Sequence, residues 1–174
     1  MTPSSAGIRL PQLSRAAHLI TPPAMHLRDF FQPDAIALDL RGADKDAVLA
    51  ELVALLGVGD RNSETLLRVL QRRESLGSTG MGRGIAIPHC RSLVVNHLRL
   101  AYGQHQAGVD FQAIDGQPAH HFFLIVAPPL EISNQYLPVL GRIAQFAKDA
   151  DVPERLSQLR SADEFFGLLE AKGV

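Results

Sequence analysis

The chain has a single cysteine, Cys90, so no internal disulfide can form, and the composition suits a reducing, cytoplasmic setting. No apolar run approaches the ~20 residues that a transmembrane helix needs, which argues against membrane insertion. Excess charge is also missing. With 17 basic and 18 acidic residues the formal net charge is −1 and the pI about 6.6, so nothing suggests a basic face for nucleic acid. No internal repeat is visible. What remains is ordinary: 174 residues, 46% hydrophobic and 20% charged, the composition of one globular domain with a core of normal size.

The first 24 residues lack acids altogether. They contain Pro3, Pro11, Pro22 and Pro23, several Ser and Ala, and the cations or histidine Arg9, Arg15 and His18. Transit peptides share that composition, but the long apolar region of a secretory signal is absent. The simpler reading is a flexible extension over residues 1–24, with Met25 opening a domain that runs over 25–174.

From Met25 the pattern alternates between strand and helix. Met25 to Phe31 reads as a short helical lead-in and Ile36 to Leu40 as a strand. Apolar residues at Val48, Leu49, Leu52, Leu55 and Leu56 predict a helix over Asp44 to Leu56 that stops at Gly57. A second helix is predicted over Ser63 to Ser75, capped by Asn62 or Ser63, with Gly77 just past its end. Strands follow at Ile85–Ile87, Leu98–Gly103 and His121–Val126, then helices at Gln135–Lys148, near Pro153, and at Ala162–Ala171 behind a Ser161 to Glu164 capping box. The fold class expected is an α/β (α+β) sandwich, a central mixed parallel and antiparallel sheet with helices on both sides.

The most informative segment runs from Arg73 to His89, a basic residue followed by closely spaced glycines and a short apolar strand ending on histidine. Glycine lets backbone amides converge on an anion, and Gly77, Gly80, Gly82 and Gly84 are placed to do so. Ser78 and Thr79 add hydroxyl donors. Arg73 offers a fork to phosphate oxygens, and His89 is a neutral nucleophile near pH 7 when one ring nitrogen is left bare. These residue types in this order read as a phosphoryl-accepting histidine with its phosphate cradle.

The same 17 residues resemble the active-site signature of the enzyme IIA domains, type 2, of the bacterial phosphotransferase system, in its mannitol, fructose and nitrogen-regulatory branch. That pattern, R-E-x-x-G-S-T-G-x-G-x-G-I-A-I-P-H, is matched at every fixed position. A second stretch, Phe111 to Pro118, resembles the family's F-D-A-I-D-x-Q-P turn, with Gln112 in place of the usual acid. The resemblance implies that His89 takes a phosphoryl group on Nε2 from an HPr-type phosphocarrier protein, with Arg73 stabilising it. The family commonly carries a second histidine at the start of a later helix. Here Tyr136 stands there, able to give a hydrogen bond but unable to become cationic, which bears on onward transfer rather than acceptance. No cofactor is implied. The length leaves no room for a fused enzyme IIB, which points to a stand-alone regulator of the nitrogen-regulatory kind, although a separately made sugar-specific IIA would look alike. A rival reading is an interaction module that docks on a sensor kinase or potassium transporter, with phosphorylation as its switch or absent.

Other groups carry less. His120 and His121 are neighbours in a predicted strand, point to opposite faces and do not suit one metal ion, so no metal site is expected. Cys90 reads as a small packing residue rather than a nucleophile paired with His89, and Asp115 as a turn residue before Gly116.

Overall fold

A computed structural model describes residues 24–130 and 132–174. The extension expected over 1–24 lies, but for Ala24, outside them. A short 3₁₀ helix (Leu27–Phe30) leads into β1 (Phe31–Ala37), upstream of the strand read from the sequence. The register of β1 shifts between Phe31 and Ile36, around Pro33, which has no N–H to give to a ladder and so sits on the sheet's edge.

Helix α1 (Lys45–Ala54) starts where the Asp44 carboxylate accepts the Ala47 N–H at 2.9 Å. Helix α2 (Asp60–Ser75) begins earlier than the Asn62 or Ser63 cap predicted. Gly59, at a φ of 85°, makes the turn into it, and the Asn62 amide donates to the Val58 carbonyl at 3.0 Å from within the first turn. Strands β2 (Gly80–Gly82), β3 (Ile85–Ala86), β4 (His89–Arg91), β5 (Arg99–Val109) and β6 (Ala119–Ala127) precede α3 (Tyr136–Lys148), α4 (Val152–Ser157) and α5 (Ala162–Ala171). Ser161 caps α5 by accepting the Glu164 N–H at 3.1 Å. The reciprocal leg is shifted by one residue, since the Glu164 carboxylate accepts from the Arg160 N–H, at 2.7 Å, rather than from Ser161.

The sheet runs β1-β5-β6-β3-β2, with β4 also pairing with β6. Strands β1 and β5, β3 and β6, and β4 and β6 are parallel, whereas β5 with β6 and β2 with β3 are antiparallel, so the sheet is mixed as expected. Strand β6 is buried along nearly its whole length because both faces are covered. Phe122, Leu124 and Val126 pack with Val48, Leu52, Leu66 and Leu70 of α1 and α2. Phe123 and Ile125 pack on the other side with Val139, Ile143, Leu156, Phe165 and Leu169 of α3, α4 and α5. Each such side chain contributes ~1.5–3 kcal/mol by leaving water.

One polar thread crosses the second of these faces. The Ser157 hydroxyl donates to the Pro153 carbonyl at 3.0 Å, so its oxygen is left to accept from His121 Nε2 at 3.1 Å. That fixes His121 Nδ1 as the acceptor of the buried Tyr102 hydroxyl at 2.9 Å. Burial, with the neighbouring His120 adding to it, pushes His121 from 6.5 down to about 4. The unfolded chain therefore binds this proton more readily than the folded one. The stability that the neutral ring provides is complete above pH 6.5 and is lost as the pH falls through 4. The loss expected is roughly 3 kcal/mol, read as a fall in the denaturant midpoint across that window. His121→Gln should start less stable at neutral pH and show a markedly flatter dependence; an unchanged slope would show that the ring does not titrate as argued.

Candidate active site

His89 opens β4, and the residues before it are shaped to aim it. Pro88 has no N–H, so the run from β3 to β4 along β6 is interrupted there. The Ile87 N–H turns to the Thr79 carbonyl at 3.0 Å, and the Ile87 carbonyl lies 2.6 Å from His89 Nδ1. A carbonyl can only accept, so Nδ1 carries the proton and Nε2 keeps its lone pair. Arg73, in the last turn of α2, donates to the Gly77 carbonyl through Nη1 at 2.8 Å and places Nη2 3.5 Å from that bare nitrogen. Burial pushes the His89 pKa below its ordinary 6.5 and the charge of Arg73 pushes the same way, against the Ile87 hydrogen bond and Glu74. The ring is neutral at pH 7, nucleophilic at Nε2, and has a fork of donors beside it.

From the opposite layer, α3 begins at Tyr136, as Pro138 in its first turn requires. The Tyr136 ring centroid is 6.1 Å from that of His89, with the planes tilted by 50°. Burial, more than any neighbouring charge, raises the Tyr136 pKa and keeps the phenol neutral. Two residues along β4 the Arg91 guanidinium carbon lies 4.5 Å from the centre of the Tyr136 ring, and its Nη1 donates to the Pro128 carbonyl at 2.8 Å. His89 thus sits where the C-terminal end of α2 meets the N-terminal end of α3, the positive end of that helix's dipole.

The glycine-rich loop is organised differently from the cradle read off the sequence. Thr79 gives both its N–H and its hydroxyl to the buried Glu74 carboxylate, which also pairs with Lys45 at 3.2 Å. Ser78 donates to the Phe111 carbonyl at 2.5 Å and accepts the Gly80 N–H at 3.0 Å. Gly80 is needed for close approach, since a Cβ there would stand 2.7 Å from Ala113 Cα. Gly84 belongs to a hairpin turn in which it and Arg83 have φ of 79° and 58°. This turn lies beside His121, four β6 residues away from Ile125, the partner of His89, or about 13 Å. Of the residues singled out, the structure brings Arg73, Gly77 and Tyr136 to His89, whereas Ser78, Thr79 and Gly80 frame the loop and Gly82 and Gly84 shape the distant hairpin.

Sequence reasoning missed two arginines. Arg83 donates to the carbonyls of Ala147, Lys148, Asp149 and Ala150 at 2.8–3.3 Å, tying the hairpin to the C-terminal end of α3. Arg91 was missed because the cue is a ring from another element. Asp115 accepts the Arg83 and Gln117 N–H groups and is held below the usual carboxylate range by them, a turn role. Cys90 is buried, with its thiol pushed up to about 12, so no thiolate is available at neutral pH. No group of three or more His, Cys, Asp or Glu side chains converges on a metal-sized site among the described residues, and no helix among them is long and apolar enough to cross a membrane. Five large apolar side chains stand 58–87% exposed on segments adjoining the site: Leu76, Leu93, Leu130, Ile132 and Leu137.

Fold and site together describe an α/β protein with a tautomer-fixed histidine beside an arginine at the meeting of two helix ends. The chain belongs to the family described as phosphoenolpyruvate-dependent sugar phosphotransferase system, EIIA 2, whose model matches residues 29–172. A nitrogen regulatory protein of Bradyrhizobium diazoefficiens is 32% identical over 146 residues, 83% of this chain and 95% of the relative. The crystal structure of nitrogen regulatory protein IIA-Ntr from Neisseria meningitidis superposes with a TM-score of 0.74 at 30% identity, covering 81% of this chain and 97% of that one. The fructose-specific EIIABC component of Bacillus subtilis is 29% identical over 147 residues, but the chain spans only 23% of its length.

Proposed function

We propose that the chain is a cytoplasmic phosphoryl carrier and regulator that accepts a phosphoryl group on His89 Nε2 from an HPr-type phosphocarrier and relays it or signals nitrogen or metabolic status with it. The observation that carries this reading is the His89 geometry, with the Nδ1 proton committed to Ile87 and a bare Nε2 3.5 Å from Arg73. In the transfer, the Nε2 lone pair forms the new N–P bond as the N–P bond to the donor's imidazole breaks and its electron pair returns to that ring. The Nδ1 proton stays, and its carbonyl partner stabilises the positive charge that the His89 ring acquires. Arg73 offsets part of the roughly −2 charge of the phosphoryl group.

The exposed apolar side chains beside the site support a protein, rather than a small molecule, as donor. An enzyme IIB, a sensor kinase or a potassium transporter are the receivers to test. Mixing the protein with a radiolabelled, phosphorylated HPr-type carrier tests the reading, and no label on the wild-type chain would end it. The replacement of the second histidine by Tyr136 favours one alternative, a docking regulator for which phosphorylation is only a switch. Equal binding of a sensor kinase or transporter by the wild type and His89→Ala would support that alternative.

A further inference from the structure

We propose that Arg91 is a second cation for the phosphoryl group on His89, held for that task on the ring of Tyr136. The inference rests on the carrier reading above and names a group in the site that the glycine-loop signature does not contain. His89 and Arg91 alternate along β4 with Cys90 between them, so their side chains share one face while Cys90 is buried on the other. Their Cα atoms are about 6.6 Å apart, within the reach of an arginine for a phosphoryl group on the histidine.

Arg91 is not left to wander in solvent. Its Nη1 is fixed on the Pro128 carbonyl at 2.8 Å and its guanidinium carbon stands 4.5 Å from the centre of the Tyr136 ring. Folding therefore meets most of the entropic cost of ordering this side chain before any phosphate arrives. The same ring lies 6.1 Å from the imidazole, so Tyr136 is the shared neighbour of nucleophile and cation.

Charge gives the arrangement its purpose. A phosphoryl group near −2 is half neutralised by Arg73, and the neutral phenol of Tyr136 adds a hydrogen-bond donor but no charge. Arg91 adds the charge. A stacked arginine on a tyrosine thus stands in for a group that could itself become cationic, and onward transfer need not suffer from Tyr136.

Two donors separate this role from simple clamping of the 128–135 connection: a phosphorylated HPr-type carrier, which must dock, and phosphoramidate, which need not. Arg91→Gln should slow labelling of His89 about tenfold with both donors, and Arg91→Lys should recover most of the loss. Tyr136→Leu, which removes the platform, should resemble Arg91→Gln, whereas Tyr136→Phe, which keeps the ring and loses only the hydroxyl donor, should be slowed clearly less than Tyr136→Leu. The His89 pKa followed by NMR should not move in Arg91→Gln, because the cation acts on the phosphoryl group.

Normal labelling of Arg91→Gln by phosphoramidate would overturn the inference, and slowing with the carrier alone would overturn it too by assigning Arg91 to docking. Should Arg91→Gln fail to fold, Arg91→Lys against Tyr136→Leu decides between the same outcomes. A wild-type chain that takes label from neither donor removes the carrier reading and the second cation with it. Label on the wild type together with an indifferent Arg91 removes the second cation alone.

Discussion

His89→Ala is expected to take no phosphoryl label from an HPr-type carrier or from phosphoramidate, while its melting temperature stays near that of the wild type. The loss is complete because the substitution removes the only atom to which the group bonds, and stability changes little because the ring is half-buried and makes one short hydrogen bond, to Ile87. On the wild-type protein the label should be labile in acid and stable in base, as an N–P bond is. His97 is the informative control. Its Nδ1 lies 2.6 Å from Asn96 Oδ1, so it is tautomer-fixed in much the same way, but it is exposed and no arginine lies within hydrogen-bonding reach of its ring among the described residues. His97→Ala should label normally. Acceptance should also be flat through neutral pH and decline only below 6.5, because burial favours the neutral His89 ring. Label surviving in His89→Ala would refute the assignment.

The second large effect is expected at Arg73. Removing one charged donor from a transferring phosphoryl group typically costs about 2–4 kcal/mol of transition-state stabilisation, which is roughly 30- to 1000-fold in rate. Arg73→Ala should approach that range and Arg73→Lys should fall between, because a point charge cannot hold the Gly77 carbonyl and also present a planar fork. The sign of a second readout is fixed by the same geometry. Arg73 lowers the His89 pKa by its charge, so Arg73→Ala should raise it, and an NMR titration of the ring measures this without any donor. Normal acceptance by Arg73→Ala would mean that the guanidinium at 3.5 Å is a bystander.

The helices were readable where their causes are local. Asp44 caps α1, Ser161 caps α5 and Pro138 bounds the start of α3, and each acts within one turn of its own position. The start of α2 was misread because two good capping residues, Asn62 and Ser63, lie inside a helix whose entry is made by a glycine of positive φ. The reading of β1 was displaced because its boundary is set by pairing with β5, not by its own alternation. His89 and Arg73 were legible for a different reason. Their chemistry is rare, their spacing is short, and the loop between them leaves few ways to join the end of α2 to β4.

In the glycine-rich loop the partners of the polar groups come from elsewhere in the fold. Glycine and hydroxyl residues permit an anion site, but the same groups also build tight turns, and only their partners decide which. Glu74 takes Thr79, Phe111 takes Ser78, and pairing with β6 carries Gly84 about 13 Å from the histidine. By itself the sequence determined the fold class, most of the helices and the motif that joins Arg73 to His89, because periodicity, caps and a contiguous motif are properties of neighbouring residues. The tertiary structure alone decided the carrying of the Arg83–Gly84 hairpin away from His89 and the meeting of Arg91 with Tyr136, because each depends on groups that become neighbours only when β4, β6 and α3 pack.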